Sequence, residues 1–327
     1  MKVYEEVQSA KFLVTGGAGF IGSNIVAHLL ENGAALVRVL DNLSNGYKSN
    51  IEEFIPNSRF EFVEGDIRDL DTCRAAVDGI EYISHQAALG SVPRSIENPS
   101  QTNDVNIGGF LNMLVAAKDI KTLKKFVYAA SSSTYGNHPA LPKVEGNEGK
   151  PLSPYAVTKA VNEHYADVFS SIYGFHSIGL RYFNIFGPRQ NPNNPYAAVI
   201  PIFCKAFIKG KSPKINGDGI TSRDFTFVDN AVQANLRALF SSGINTHEVF
   251  NVACGDQTSL NEMITLLNEI SNQSIEVIYG PERLGDVKHS KASIDKIKKL
   301  LNYAPEVNFK EGLQLVYEWY IKNDVKE

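Results

Sequence analysis

Residues Phe12-Leu13-Val14-Thr15 form an apolar run that passes without interruption into Gly16-Gly17-Ala18-Gly19-Phe20-Ile21-Gly22. A buried strand that turns over closely spaced glycines into a helix leaves few architectures open. One glycine turns the chain with φ > 0, a second lets backbone N–H groups approach a pyrophosphate, and a third lets the helix pack tightly on the strand. The positive end of the helix then faces the phosphates, which makes Gly16, Gly19, Phe20, Ile21 and Gly22 the expected contacts. Two registers fit the run, Gly17-x-Gly19-x-x-Gly22 and Gly16-x-x-Gly19-x-x-Gly22, so spacing alone does not choose the subtype of dinucleotide site. The next apolar strand, Leu36-Val37-Arg38-Val39-Leu40, ends in Asp41, roughly 20 residues past the glycines, where a carboxylate can bond an adenosine ribose. An acidic group there repels a 2′-phosphate, so the expected cofactor is NAD rather than NADP.

From the glycine turn to about Tyr182 apolar strands alternate with helical segments, the pattern of an α/β doubly wound parallel sheet of the Rossmann-like kind. Ligands of such sheets sit at the carboxyl ends of the strands. Polar residues occupy those ends: Asp41-Asn42, Gly65-Asp66-Ile67 after Phe60-Glu61-Phe62-Val63, and Gln86-Ala87-Ala88 after Tyr82-Ile83-Ser84-His85. We expect Asp66 and Ile67 at an adenine edge; the alternative for Asp66 is to cap a helix beginning near Leu70. Tyr182 closes the list of expected cofactor contacts. His85 lies in an apolar strand with no histidine at metal-ligand spacing, so it reads as a hydrogen-bonded core residue. The polar loop Leu89 to Ser95, with Ser91, stands where a ligand loop belongs. Helices from Asn103 to Lys118 and from Tyr155 to Tyr173 are apolar on more than one face, which suggests a homodimer through a helix bundle.

The 327 residues, 43% hydrophobic and 21% charged, suffice for about two domains. A net charge of −4 without any lysine or arginine run argues against a nucleic-acid or membrane surface. An anionic ligand must therefore be met by local groups. Met1 to Lys11 lack an apolar core, and no stretch approaches the ~20 apolar residues that span a bilayer, so we expect a cytoplasmic protein. Cys73, Cys204 and Cys254 form neither a disulfide framework nor a metal pair, and no metal is expected.

The strand Lys125-Phe126-Val127-Tyr128-Ala129-Ala130 runs into Ser131-Ser132-Ser133-Thr134-Tyr135-Gly136. By itself a serine run is a turn that satisfies its own backbone. Further on, Ser153 as N-cap and Pro154 at the first helical position open a helix carrying Tyr155 and Lys159. Four residues apart, the two lie on one helix face. An ammonium and a bound nicotinamide cation both favour the phenolate, lowering its pKa from about 10 toward neutrality so that Tyr155 can act as a general base. A serine hydroxyl then bonds the reacting oxygen.

These stretches resemble the extended short-chain dehydrogenase/reductase family over essentially the whole chain. Within it the sequence is similar to UDP-N-acetylglucosamine 4-epimerases. The resemblance is carried by Thr15 to Gly22, His85-Gln-Ala-Ala-Leu-Gly-Ser-Val-Pro-Arg-Ser95, Ala130 to Gly136, Leu152-Ser-Pro-Tyr-Ala-Val-Thr-Lys159 and Gly179-Leu-Arg-Tyr-Phe-Asn-Ile-Phe-Gly187. It implies a smaller α/β C-terminal substrate domain. The nucleotide-binding domain would comprise residues 1–182 with 224–254 returning to it; the UDP-sugar domain, 183–223 and 255–327. It implies Tyr155 and Lys159 as the catalytic pair and Ser131 as the hydroxyl, although Ser132 and Ser133 stay open for that role. Dehydratases of the superfamily carry an Asp-Glu pair where this chain has Ser132-Ser133, which argues against dehydration; the resemblance implies epimerisation through a 4-keto sugar. The resemblance further implies that Asn184 bonds a substrate phosphate and that Ala198, Val199, Ile215 and Asn216 contact the uridine. Arg223 and Arg283 would neutralise the diphosphate, with Asp286 at the uridine ribose. Ser290 would flank the sugar's C2 substituent, where a small residue admits an acetamide; the alternative is that it caps the following helix. A UDP-uronic acid 4-epimerase and a catalytically silent NAD-binding scaffold are the competing readings. The scaffold has no reason to keep Tyr155, Lys159 and the serine run together.

Overall fold

Seven apolar segments pair in parallel, because each is flanked by a helix that returns the chain to the same edge. In the computed structural model, which describes residues 5–193, 198–282 and 288–323, these strands are β1 (Lys11–Thr15), β2 (Leu36–Asp41), β3 (Phe60–Glu64), β4 (Tyr82–His85), β5 (Lys125–Ser131), β6 (Ser177–Tyr182) and β7 (Glu248–Val252). Their order is β7-β6-β5-β4-β1-β2-β3. The order reverses at β1, between β2 and β4, and a crevice opens there at the carboxyl ends. Thr15 stands opposite both Leu40 and His85, so the ends of these three strands are level.

Both sheet faces are covered, which is why β1 reads as a continuous apolar run rather than an alternating one. Phe12, Val14 and Val39 pack under α1 (Phe20–Glu31). Leu13, Leu40 and Phe126 pack on the other face under α2 (Leu70–Val77), α3 (Phe110–Ala117) and α4 (Pro154–Tyr173). Each fully buried aliphatic or aromatic side chain here stabilises the fold by about 1.5–3 kcal/mol relative to leaving it in water. After Gly187 the chain builds a third apolar cluster, in which α5 (Val199–Ile208) contributes Phe203 and Phe207. The chain then returns through α6 (Val228–Leu239), which packs beside α1, and through β7, which pairs with β6. Met263 and Leu267 of α7 (Leu260–Ser271) join the third cluster. After α8 (Asp295–Leu301), α9 (Phe309–Lys322) completes it with Leu313 and Tyr317.

Local signals account for most helix starts. Ser153 Oγ accepts from the amide of Ala156 at 3.1 Å with Pro154 in the first turn, and Ser259 with Glu262 forms a reciprocal capping box. Asp66 does not cap α2; Asp69 does, accepting from the Asp71 amide at 3.0 Å. Ser290 is likewise no cap, since α8 begins at Asp295 and its amide is met by Ser293.

The helix expected from Asn103 to Lys118 is broken into a short helix, Pro99–Asn103, a wide π turn, Asp104–Gly109, and α3. The physical reason is Asn106. Its side chain bonds both backbone groups of Leu89, at 2.8 and 3.1 Å, and the Thr158 hydroxyl, while its carbonyl accepts from Asn162. A polar side chain turned inward and a diverted carbonyl widen the turn.

Candidate active site

The glycine turn is built by close approach. Gly16 adopts φ +68, and its amide donates to Leu40 O at 2.8 Å. A Cβ on Gly22 would lie 2.2 Å from Gly16 O. The start of α1 at Gly19 has no side-chain cap, so its amides stand available to an anion. This backbone cradle fits the pyrophosphate of a dinucleotide. Asp41 ends β2, with Oδ2 accepting from the Ala18 amide at 2.9 Å and Oδ1 from the Leu43 amide at 2.8 Å. Burial raises its pKa against those two bonds. Asp66 is held below the usual carboxylate range, at about 2, chiefly by hydrogen bonds from Arg68, with Asn42 donating to it at 2.7 Å.

The crevice over these groups is a cavity of about 440 Å³, within the ~300–1,000 Å³ range of ligand pockets. The glycine turn lines it with Gly16, Gly19, Phe20, Ile21 and Gly22. Asp41, Asn42, Asp66 and Ile67 line it from the ends of β2 and β3. Gln86, Ala87 and Ala88 enter after β4, and Tyr182 enters from β6. The sequence did not point to Asn235 of α6, which donates to the Tyr182 hydroxyl at 2.8 Å and accepts from Gln86 at 3.1 Å, fixing the floor. Nor did it point to Tyr47, Asn50 or Arg189. The Tyr47 amide and the Asn50 side chain both donate to Ala18 O at 3.0 Å, while Arg189 bonds Asn24 and Glu53. The one available signal for Arg189 was a cation directly after Gly187-Pro188.

Ser131, Tyr155 and Lys159 meet at the carboxyl end of β5, all lining the cavity. The Tyr155 hydroxyl faces Ser131, whose side chain favours the phenolate. Ser133 Oγ donates to Ser131 Oγ at 2.9 Å, and neither Ser132 nor Ser133 is among the described lining residues. Lys159 Nζ donates to Ala129 O at 2.7 Å, and burial lowers its pKa to about 8. Burial also dominates Tyr155 and raises its hydroxyl above the ordinary 10.0, with Ser131 working the other way. The lowering toward neutrality expected from Lys159 is absent from the causes acting on Tyr155, and desolvation sets the direction in the protein alone.

The expected substrate residues are less concentrated. Asn184 and Ala198 line the cavity. Asn184 takes φ +41 and donates to Asp224 O at 3.2 Å; Ala198 precedes α5, with Val199 the first helical residue. The Ile215 side chain is 1% exposed within the third cluster, away from the lining, and Asn216 stands exposed at the end of that strand. Arg223 bonds the carbonyls of Ser222 and Lys288, and the Ser290 amide donates to Ser222 O at 3.1 Å, so Ser290 neighbours Arg223. Ser91 caps a short helix, Val92–Glu97, by accepting from the Arg94 amide, and is not among the lining residues. Arg283 and Asp286 lie outside the described residues.

His85, beneath the site, bonds Thr15 Oγ through Nδ1 at 2.7 Å; Thr15 Oγ in turn accepts from the Ala87 amide. Burial is the main cause that lowers the His85 pKa from 6.5 to about 3. Between these values the unfolded chain holds the extra proton, so stability is lost as pH falls from 6.5 toward 3, by up to about 1.4 kcal/mol per pH unit. Urea midpoints at pH 7 and 4.5 check this: the acid loss should be smaller in His85→Asn than in the wild type. Equal losses would remove His85 as a source of acid lability.

A model of the NAD-dependent epimerase/dehydratase family matches residues 12–253. The chain is similar to the UDP-N-acetylglucosamine 4-epimerase of Methanobrevibacter ruminantium, solved with UDP-N-acetylmuramic acid: 38% identity, 97% of this chain and 99% of that one, TM-score 0.90. It is similar to the UDP-glucose 4-epimerase of Thermotoga maritima, solved with UDP-glucose, at 37% identity over 96% and 99% of the two chains, TM-score 0.89. The UDP-glucuronic acid 4-epimerase of Bacillus cereus, solved with UDP-glucuronic acid and NAD, is 33% identical over 96% and 99%, TM-score 0.88.

Proposed function

This chain belongs to the NAD-dependent epimerase/dehydratase family and is an isomerase of the UDP-sugar 4-epimerase kind, and from that premise we propose that it interconverts UDP-N-acetylglucosamine and UDP-N-acetylgalactosamine. The observation that carries the chemistry is the meeting of Ser131, Tyr155 and Lys159 at the end of β5, beside the glycine cradle. Bound NAD supplies reversible hydride acceptance at C4. In this reading Tyr155 Oη takes the C4 hydroxyl proton as the 4-keto sugar forms and returns it when the sugar has turned over. Ser131, its hydroxyl oriented by Ser133, bonds the reacting oxygen. Lys159, held on Ala129 O, keeps positive charge beside the phenolate, and a bound nicotinamide cation adds to it. Residues 1–182 and 224–254 form the nucleotide-binding side, joined by α8, whose Ile297 and Leu301 pack in the first core cluster; 183–223 and the rest of 255–327 form the sugar side. There Arg223 and Arg283 hold the diphosphate, so that the sugar can rotate without release.

The acetylated substrate is favoured by the small Ser290 beside Arg223. Incubation with UDP-N-acetylglucosamine, UDP-glucose or UDP-glucuronic acid, followed by chromatography of the products, tests the assignment; fastest turnover of the uronate would overturn it. Ser290→Tyr should obstruct the acetylated sugar by overlap, lowering activity on UDP-N-acetylglucosamine far more than on UDP-glucose. Equal losses in a folded variant would sink Ser290 as the size filter.

We also infer a homodimer. Val157, Val168, Ile172 and Tyr173 of α4 are exposed, and a second copy placing the same stripe against them would cover both. Light scattering after gel filtration should give twice the monomer mass of 36.0 kDa.

A further inference from the structure

Lys159 and Glu163 are four residues apart on α4 and therefore neighbours on one helix face. The Glu163 carboxylate acts on Lys159, raising its pKa against the larger effect of burial. Yet Lys159 Nζ donates to Ala129 O, while both oxygens of Glu163 are taken by Arg181 of β6, from Nε at 2.9 Å and from Nη2 at 2.6 Å. The third guanidinium nitrogen, Nη1, reaches Glu148 at 2.5 Å. Arg181 is 4% exposed and lies 4.8 Å over the Tyr135 ring. A buried ionic cluster of this kind is a weak source of net stability, because desolvation offsets the Coulombic gain.

We propose that Arg181 is a positioning residue for the reaction: by holding both oxygens of Glu163 it keeps that carboxylate off Lys159, so that the ammonium stays on the Ala129 carbonyl beside Tyr155. The inference rests on Tyr155 and Lys159 being the catalytic pair. A guanidinium can do this because its planar fork matches a carboxylate edge and fixes the direction in which both oxygens point. The groups around Lys159 come from several elements. Tyr155 and Glu163 stand on its own helix, and Ser131 and the Ala129 carbonyl on β5. His85, kept neutral by burial, is on β4, and Arg181 stands behind Glu163 on β6. Without Arg181, Glu163 turns to the one cation next to it on the helix. Lys159 then leaves Ala129 O, and the new ion pair moves its titration to higher pH.

The test is a recovery experiment with Arg181→Met, Glu163→Gln and the double variant, with Tyr155→Phe as reference. Arg181→Met should lower kcat on the order of 100-fold, the scale of a misplaced catalytic group. NAD content and KM should hold, and the pH–rate limb should shift to higher pH. Glu163→Gln alone should turn over near the wild-type rate. The double variant should regain most of the lost kcat and lose the shift to higher pH, because the carboxylate that captures Lys159 is gone and Glu148, with 31% side-chain exposure, can turn to water. A double variant as slow as Arg181→Met, or slower, overturns the proposal, since the loss then does not run through the Glu163 carboxylate. If Arg181→Met does not fold, Arg181→Lys replaces it: an ammonium on a flexible stem lacks the planar fork that fixes the carboxylate, and the same recovery by Glu163→Gln is required. Near-normal turnover of Tyr155→Phe would instead remove the catalytic pair itself, whatever the Arg181 variants do.

Discussion

Tyr155→Phe should keep its fold and its NAD and lose at least ~100-fold in turnover, the scale of a removed general base. The phenolic oxygen is the only atom deleted. Ser131 retains its bond from Ser133, and Lys159 retains Ala129 O. The cavity wall therefore stays in place. Because burial raises Tyr155 in the protein alone, turnover in the wild type should rise with pH across the range in which the loaded enzyme loses the phenolic proton, and this limb should vanish from the residual rate of Tyr155→Phe. The check is kcat against pH for both proteins, with cofactor content read from the absorbance of denatured samples. A variant within a few-fold of the wild type would take Tyr155 out of the mechanism.

Gly22→Ala should be purified without NAD and without activity. The added Cβ would fall 2.2 Å from Gly16 O and 2.8 Å from Gly17 Cα, and both are backbone atoms of the turn itself. No side chain can swing away, so either α1 lifts from β1 or the turn opens. Overpacking of this sort costs about 1–3 kcal/mol and occasionally more, and here it also displaces the amides that face the pyrophosphate. Gly108→Ala is the matched control, since a Cβ there meets nothing within 4 Å and its φ is not positive. Thermal melts with and without added NAD should separate the two: a clear loss of both stability and NAD response in Gly22→Ala, little change in Gly108→Ala. Retained NAD in Gly22→Ala would mean that the close approach is not needed for binding.

The sheet, its parallel sense and the cofactor end of the crevice were legible in the residues because each rests on local chemistry. An apolar run buried on both faces, a glycine where φ is positive or a Cβ will not fit, and a carboxylate at a strand end are constraints that act within about 20 residues. That is why Gly16, Gly19, Gly22, Asp41, Asp66 and Gln86 all line one cavity, and why Ser153, Pro154 and the Ser259–Glu262 box begin helices where their spacing places them. Folding in three dimensions decided what depends on partners far along the chain. Three consecutive serines are equivalent as a string. Only the end of β5 meeting the start of α4 sets Ser131 against Tyr155 and turns Ser133 to support it. Asn106 breaks its helix because Leu89, seventeen residues away, offers it backbone partners. Ile215, expected at the uridine, faces the third core because its strand pairs with Ile278–Gly280. Whether Tyr155 is acidic or not was likewise undecidable from its spacing to Lys159, since desolvation sets the direction and is a property of everything packed around the ring.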